Sequence, residues 1–188
     1  MKHCTGLNCL RAIAGLLSLV LSDACWALEA VDIAAIRQQF VQDHEPADAM
    51  TLAAVREILS KNPGNAQRQN IVVAGRIGAR GIEPFLENKA SFVLLEIPTD
   101  DHAAKPGHDD DNCPFCKKRN MQSPMAAVQF VDKSGKVVPI DARKLFGIQK
   151  GRDVVVSGEA VFDPKLAIPI IQLTADHIFI RQPIPLGR

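Results

Sequence analysis

Tyrosine is absent from this chain of 188 residues, and tryptophan occurs once, at Trp26. Any aromatic stacking surface would therefore have to come from its 8 phenylalanines. Neither sign of charge dominates: 22 Lys+Arg stand against 21 Asp+Glu, which gives no global pull toward nucleic acid or acidic lipid. There is no G-x-S-x-G, no H-E-x-x-H and no Gly-rich phosphate loop, so hydrolase chemistry has little footing. Internal repeats are missing, and the apolar runs fall short of the ~20 residues a membrane-spanning helix needs.

What is present begins with an export signal. Residues 1–27 combine a basic start (Lys2, His3, Arg11) with an apolar run from Ala12 to Leu21 and small residues after it. This is the pattern of a cleaved secretory signal peptide, with cleavage after Ala27. A lipid anchor at Cys25 is disfavoured by Asp23 and by the lack of a leucine three residues before the cysteine. The expectation is an exported protein, periplasmic or extracellular. Removing Lys2, Arg11 and Asp23 turns 22 against 21 charges into 20 against 20. Cys4, Cys9 and Cys25 leave with the signal, and of five cysteines only Cys113 and Cys116 remain.

Residues 28–69 read as an N-terminal helical segment. Ile33, Ile36 and Phe40 recur at helical spacing. Leu52, Val55, Ile58 and Leu59 form a second stripe, with Asp48 as its N-cap and "NPGN" (62–65) as its stop. From Asn70 the period changes to two. "NIVVAGRIGAR" is a strand with Ile71, Val73 and Ile77 on one face, bent at Gly75 and Gly78. "ASFVLLEIP" (90–98) is the next, expected to turn Val93, Leu95 and Ile97 inward and Phe92, Leu94 and Glu96 outward. "MAAVQFVDKSGKVVPI" (125–140) is a third strand with a tight turn at Asp132–Gly135, and it turns Val128 and Phe130 inward. "DARKLFGI" (141–148) is a short helix capped by Asp141. Strands at 151–163 and 168–182 follow, and 183–188 is an untethered tail.

This order, with a glycine-bent first strand and Val154, Val156 and Gly158 in the fourth, resembles the OB-fold. The resemblance implies a mainly β, five-stranded Greek-key barrel over residues 70–182, preceded by two helices, with an insertion at 98–124 between strands two and three. Together with "TLAAVREILSKNPGN" and "HDDDNCPFCKKR", the chain is similar to secreted bacterial OB-fold proteins carrying an Asp-rich Cys-Pro-x-Cys insertion. That similarity brings no biochemical role with it.

The insertion holds the chemistry. His102, His108, Cys113 and Cys116 are spaced H-x5-H-x4-C-x2-C. Two thiolates and two imidazoles suit tetrahedral Zn²⁺, and the soft sulfurs also suit copper, so a zinc or copper ion is the expected cofactor. A Cys113–Cys116 disulfide closes only a four-residue loop and stabilises by about 2 kcal/mol. A metal spanning His102 to Cys116 closes a far longer stretch, with apparent binding of roughly 10–16 kcal/mol in small fingers. Only the metal would order the whole insertion. A closed four-ligand site leaves no position for substrate and favours a non-catalytic staple or metal carrier.

The alternative is redox. "CPFC" resembles the active-site frame of glutaredoxin-type oxidoreductases, in which Cys113 would be the nucleophile and Cys116 the resolving thiol. Lys117, Lys118 and Arg119 would favour the thiolate. Against it, "CKKRNMQSPMA" has no apolar helical stripe and soon meets Pro124, so no helix is expected to support the motif. Asp109, Asp110 and Asp111 read as a solvated run, and His44 at a helix end and His177 on a strand carry no functional reading. A second alternative is the single-stranded nucleic-acid binding common to OB-folds. It is disfavoured by scattered basic residues and by one outward phenylalanine beside Glu96. The partners expected are therefore a metal ion and another exported protein, not nucleic acid.

Overall fold

The computed structural model describes residues 32–61, 68–98, 112–165 and 167–182. The segment read as a signal peptide, the expected helix stop at 62–65, the tail at 183–188, His102, His108 and Asp109 to Asp111 lie outside the described residues.

Helix α1 (Ile33–Phe40) starts where the Asp32 carboxylate accepts the amides of Ala34 and Ala35 at 3.0 and 3.1 Å. Helix α2 (Leu52–Ser60) starts at Thr51, whose hydroxyl accepts the Ala54 amide. Thr51 thus takes the capping place expected of Asp48, which lies before the helix at φ 60°. Leu52, Val55 and Leu59 are buried along one stripe of α2, while Ile58, expected among them, is 39% exposed. Its position falls off the 100° arc that faces the barrel.

Five strands follow: β1 (Gln69–Ile77), β2 (Ser91–Leu95), β3 (Met125–Phe130), β4 (Asp153–Phe162) and β5 (Ile171–Ile180). They close into a barrel in the order β1-β2-β3-β5-β4, with all pairs antiparallel except β3 with β5. Between β3 and β4 lies helix α4 (Ala142–Phe146), capped by Asp141 and ended by Gly147 at φ 68°. This is the OB-fold arrangement. β1 makes the closure: it pairs with β4 from Gln69 to Arg76, while its last two residues pair with β2. A bulge at Ser157/Gly158 brings β4 hard against β5. A Cβ on Gly158 would lie 2.2 Å from the Thr174 carbonyl oxygen, so only glycine fits.

The inward set of β2 is the reverse of the alternation expected. Phe92 and Leu94 are 1% and 0% exposed, and Val93 is only half-buried. Apolar residues occupy both faces of this strand, so period alone is ambiguous. The register decides it: Phe92 pairs with Val128 and Leu94 with Ala126, both fully buried, and paired residues share a face. Leu95 is buried as well, beneath Gly78. In β3, Val128 and Phe130 face inward as expected, but the strand ends at Phe130. A Val131–Val137 bridge then closes the Asp132–Gly135 turn.

The N-terminal helices belong to the barrel's core. From Asp32 onward the chain is one compact unit. The Phe40 ring lies 5.1 Å from Phe130 and 6.4 Å from Phe146. Met50 bonds both ways with β1, donating to Val72 and accepting from Ala74 at 2.9 Å each. The Glu96 carboxylate, just past β2, accepts the Ala53 amide at 2.8 Å and so holds the start of α2.

Candidate dithiol site

The stretch expected to lack secondary structure contains helix α3, Pro114–Gln122. This corrects the sequence reading, and the local chemistry explains why. Cys113 is the N-cap, with extended backbone, and its Sγ accepts the Cys116 amide at 3.5 Å. Pro114 occupies the first helical position, where no amide is needed and its φ is already helical. The Cys113 carbonyl accepts Lys117 N–H at 2.9 Å. The missing apolar stripe is real, since Cys116 is the one buried residue of α3. Polar anchors hold the helix in its place. Ser123 N–H and Oγ both donate to the Arg119 carbonyl, at 3.0 and 3.2 Å, and the Arg80 guanidinium donates to the Ser123 carbonyl.

The two cysteines differ in environment. Cys113 is half-buried, while Cys116 is 0% exposed. The Arg119 guanidinium donates from Nη2 to Cys116 Sγ at 3.4 Å. Cys113 is the cap at the positive end of a helix whose first turns carry exposed Lys117 and Lys118. Phe115, inside the motif, is 77% exposed. A half-buried cysteine at a helix start and a buried cysteine one turn on form an unequal pair, and each sulfur accepts an N–H.

The metal set is brought together only in part. Cys113 and Cys116 share one helix start, whereas His102 and His108 fall outside the described residues. Among the described residues there is no cluster of three or more His, Cys, Asp or Glu able to hold an ion. His44 and His177 are exposed. Arg119, expected among the cations that favour the thiolate, donates to the Cys116 sulfur, whereas Arg80 as a helix anchor was missed by reading the sequence. Arg119 lies three residues after Cys116, and the helix is what assigns it to that sulfur in particular.

On the barrel itself, Phe92 and Phe130 point into the core, leaving Ser91, Val93, Ala127 and Gln129 outward on β2 and β3. That outer face carries no aromatic ring. Among the described residues no helix is long and apolar enough to cross a membrane.

No protein-family model matches the chain, and no curated protein matches it. Among solved structures it is similar to Rim1, a mitochondrial single-stranded DNA-binding protein from S. cerevisiae, at 13% identity and a TM-score of 0.35. The likeness covers 62% of this chain and 97% of that one, and the strand topology carries the fold assignment without it.

Proposed function

We propose that this protein is an exported thiol–disulfide exchange module in which an OB-fold barrel carries the Cys113/Cys116 pair. The observation that carries the reading is the unequal dithiol at the start of α3: a half-buried N-cap sulfur and a fully covered partner with a guanidinium donor. In the forward step the Cys113 thiolate attacks a disulfide sulfur of the substrate, forming a mixed disulfide and expelling the other substrate sulfur as thiolate. Cys116, as thiolate, then attacks Cys113 Sγ. The Cys113–Cys116 disulfide forms and the second substrate sulfur leaves, so two electrons pass to the substrate. Helix-end amides and Arg119 favour the thiolates this chemistry needs. The bare outer face of β2 and β3 supports this reading over nucleic-acid binding, which relies on stacked aromatics there.

The test is exchange between the reduced mature chain and a small neutral disulfide. Cys113→Ser should abolish turnover, and Cys116→Ser should trap the mixed disulfide. Trapping by Cys113→Ser instead would reverse the roles, and an inert native pair would end the proposal.

A second reading keeps the same sulfurs for Zn²⁺ or copper, and the H-x5-H-x4-C-x2-C spacing favours it. His102 and His108 would complete the set, and the ion would serve as staple or cargo. Elemental analysis separates the two: a stoichiometric ion lost in both Cys113→Ser and His108→Ala supports metal, and metal-free cycling supports exchange.

A further inference from the structure

Helix α3 has 9 residues and buries only Cys116, so apolar packing does not fix its place against the barrel. Isolated helices shorter than about 12–15 residues are marginal in water, and specific tertiary contacts must hold this one. One comes from Arg80, just past the end of β1, whose Nη2 donates to the carbonyl of Ser123, the residue that ends α3. The backbone before Arg80 is seated on the barrel: Gly78 N–H donates to the Val93 carbonyl at 3.0 Å, and Ala79 is buried. Arg80 Nε is buried as well, so part of the side chain is packed. Ser123 is buried too, and its N–H and Oγ both donate back to the Arg119 carbonyl. Arg119 in turn donates from Nη2 to Cys116 Sγ at 3.4 Å. A chain of hydrogen bonds thus runs from the β1–β2 loop through Ser123 and Arg119 to the covered sulfur.

We infer that Arg80 is a positioning residue: by fixing Ser123 it holds the end of α3 that carries Arg119, and so keeps that guanidinium on Cys116 Sγ. Its effect on exchange rests on the dithiol reading, in which Cys116 attacks the mixed disulfide. Arg80 acts through Arg119, not on the sulfur itself. A charge-assisted bond is stronger than a neutral one, and a planar guanidinium fixes direction as well as distance. Small misplacements of a reacting group slow a step steeply, which is why a distant anchor matters. Arg80 is half-buried and lines a groove of about 560 Å³ beside α3, together with Lys117, Asn120 and Met121. It stands outside the hydrophobic core cluster, so replacing it leaves that core intact.

The experiment uses the reduced chain from Leu28 onward, which contains the whole compact unit that begins at Asp32. Single turnover with a small neutral disulfide resolves two thiol releases, the first from attack by Cys113 and the second from attack by Cys116. Arg80→Met keeps the stem and removes the donor; the second release should slow roughly tenfold while the first does not change. Arg80→Lys, which keeps a donor for Ser123, should restore most of the lost rate. Added to Arg119→Met, the Arg80→Met change should slow the second release no further, because one residue acts through the other. Equal slowing of both releases, no slowing, no recovery with lysine, or an additive loss in the double variant would each overturn the assignment. A native chain that releases no thiol would end the dithiol reading instead. Hydrogen exchange then still reads the placement. The Lys117 and Ser123 amides should exchange roughly tenfold faster in Arg80→Met than in the native chain, the scale of one lost charge-assisted bond. Unaltered protection of those amides would overturn the placement by itself.

Discussion

The guanidinium of Arg119 and the sulfur of Cys116 lie 3.4 Å apart on one face of α3, with Cys116 entirely covered. A helix with no apolar stripe thus presents one buried sulfur and a cation beside it. Arg119→Met keeps much of the side-chain bulk and removes the donor. Collapse of the mixed disulfide should slow by roughly tenfold, because the proposed exchange has Cys116 attack as a thiolate. Stopped-flow single turnover with Cys116 intact measures it as the release of the second substrate thiol. An unchanged rate in a fully folded variant would remove Arg119 from the chemistry.

Phe40, Phe130 and Phe146 form one aromatic cluster, with ring centroids 4.6 Å apart for Phe130 and Phe146. Phe40 comes from α1, so its removal tests whether the N-terminal helices belong to the barrel's folding unit. Phe40→Ala should cost about 3–5 kcal/mol in urea unfolding, comparable to Phe130→Ala. A loss below about 1 kcal/mol would mean that α1 is peripheral.

Among the described glycines Gly158 leaves the least room for a side chain, with Thr174 O and Ala175 Cα where one would go. Gly158→Ala should destabilise by about 3 kcal/mol or more, since backbone must move at the bulge. Gly135, where nothing lies near the added methyl, strains only its own positive φ and should cost less under the same substitution. Thermal melts of the two variants rank them, and the reverse order would contradict the bulge.

Two carboxylates give opposite pH dependences. Burial pushes Glu96 above the ordinary carboxylate value of 4.5, against the pull of the Ala53 amide and Arg56. Its contribution to stability is therefore present below 4.5 and lost as pH rises through the raised value. Hydrogen bonding from Arg143 holds Asp141 below 3.8, so its contribution is lost as pH falls beneath that value. Glu96→Gln, which keeps an acceptor for Ala53, should flatten the decline just above pH 4.5, and Asp141→Asn should flatten the acid limb. Unfolding curves across that range decide both.

Much of the architecture was legible because burial and period are local. The alternation in β1, the inward Val128 and Phe130, the Asp141 cap and the Asp132–Gly135 turn all follow from neighbours along the chain. The cysteine pair was legible for the same reason. Phe92 and Leu94 were misassigned because both faces of β2 are apolar, and only pairing with β3 selects one. Helix α3 was missed because burial does not hold it: a sulfur cap, a leading proline and distant Arg80 do. Phe40 reads locally as one turn of a helix, and only the closed barrel makes it a neighbour of Phe130.

Composition and spacing by themselves determined the strand order, the helices before it and the two sulfurs that remain once the first 27 residues are set aside. Only the tertiary structure decided which sulfur is covered, what donates to it and which groove lies alongside. Those properties depend on residues far apart in sequence, such as Arg80 just past β1 and Ser123 at the end of α3, which the folded chain brings into hydrogen-bonding contact.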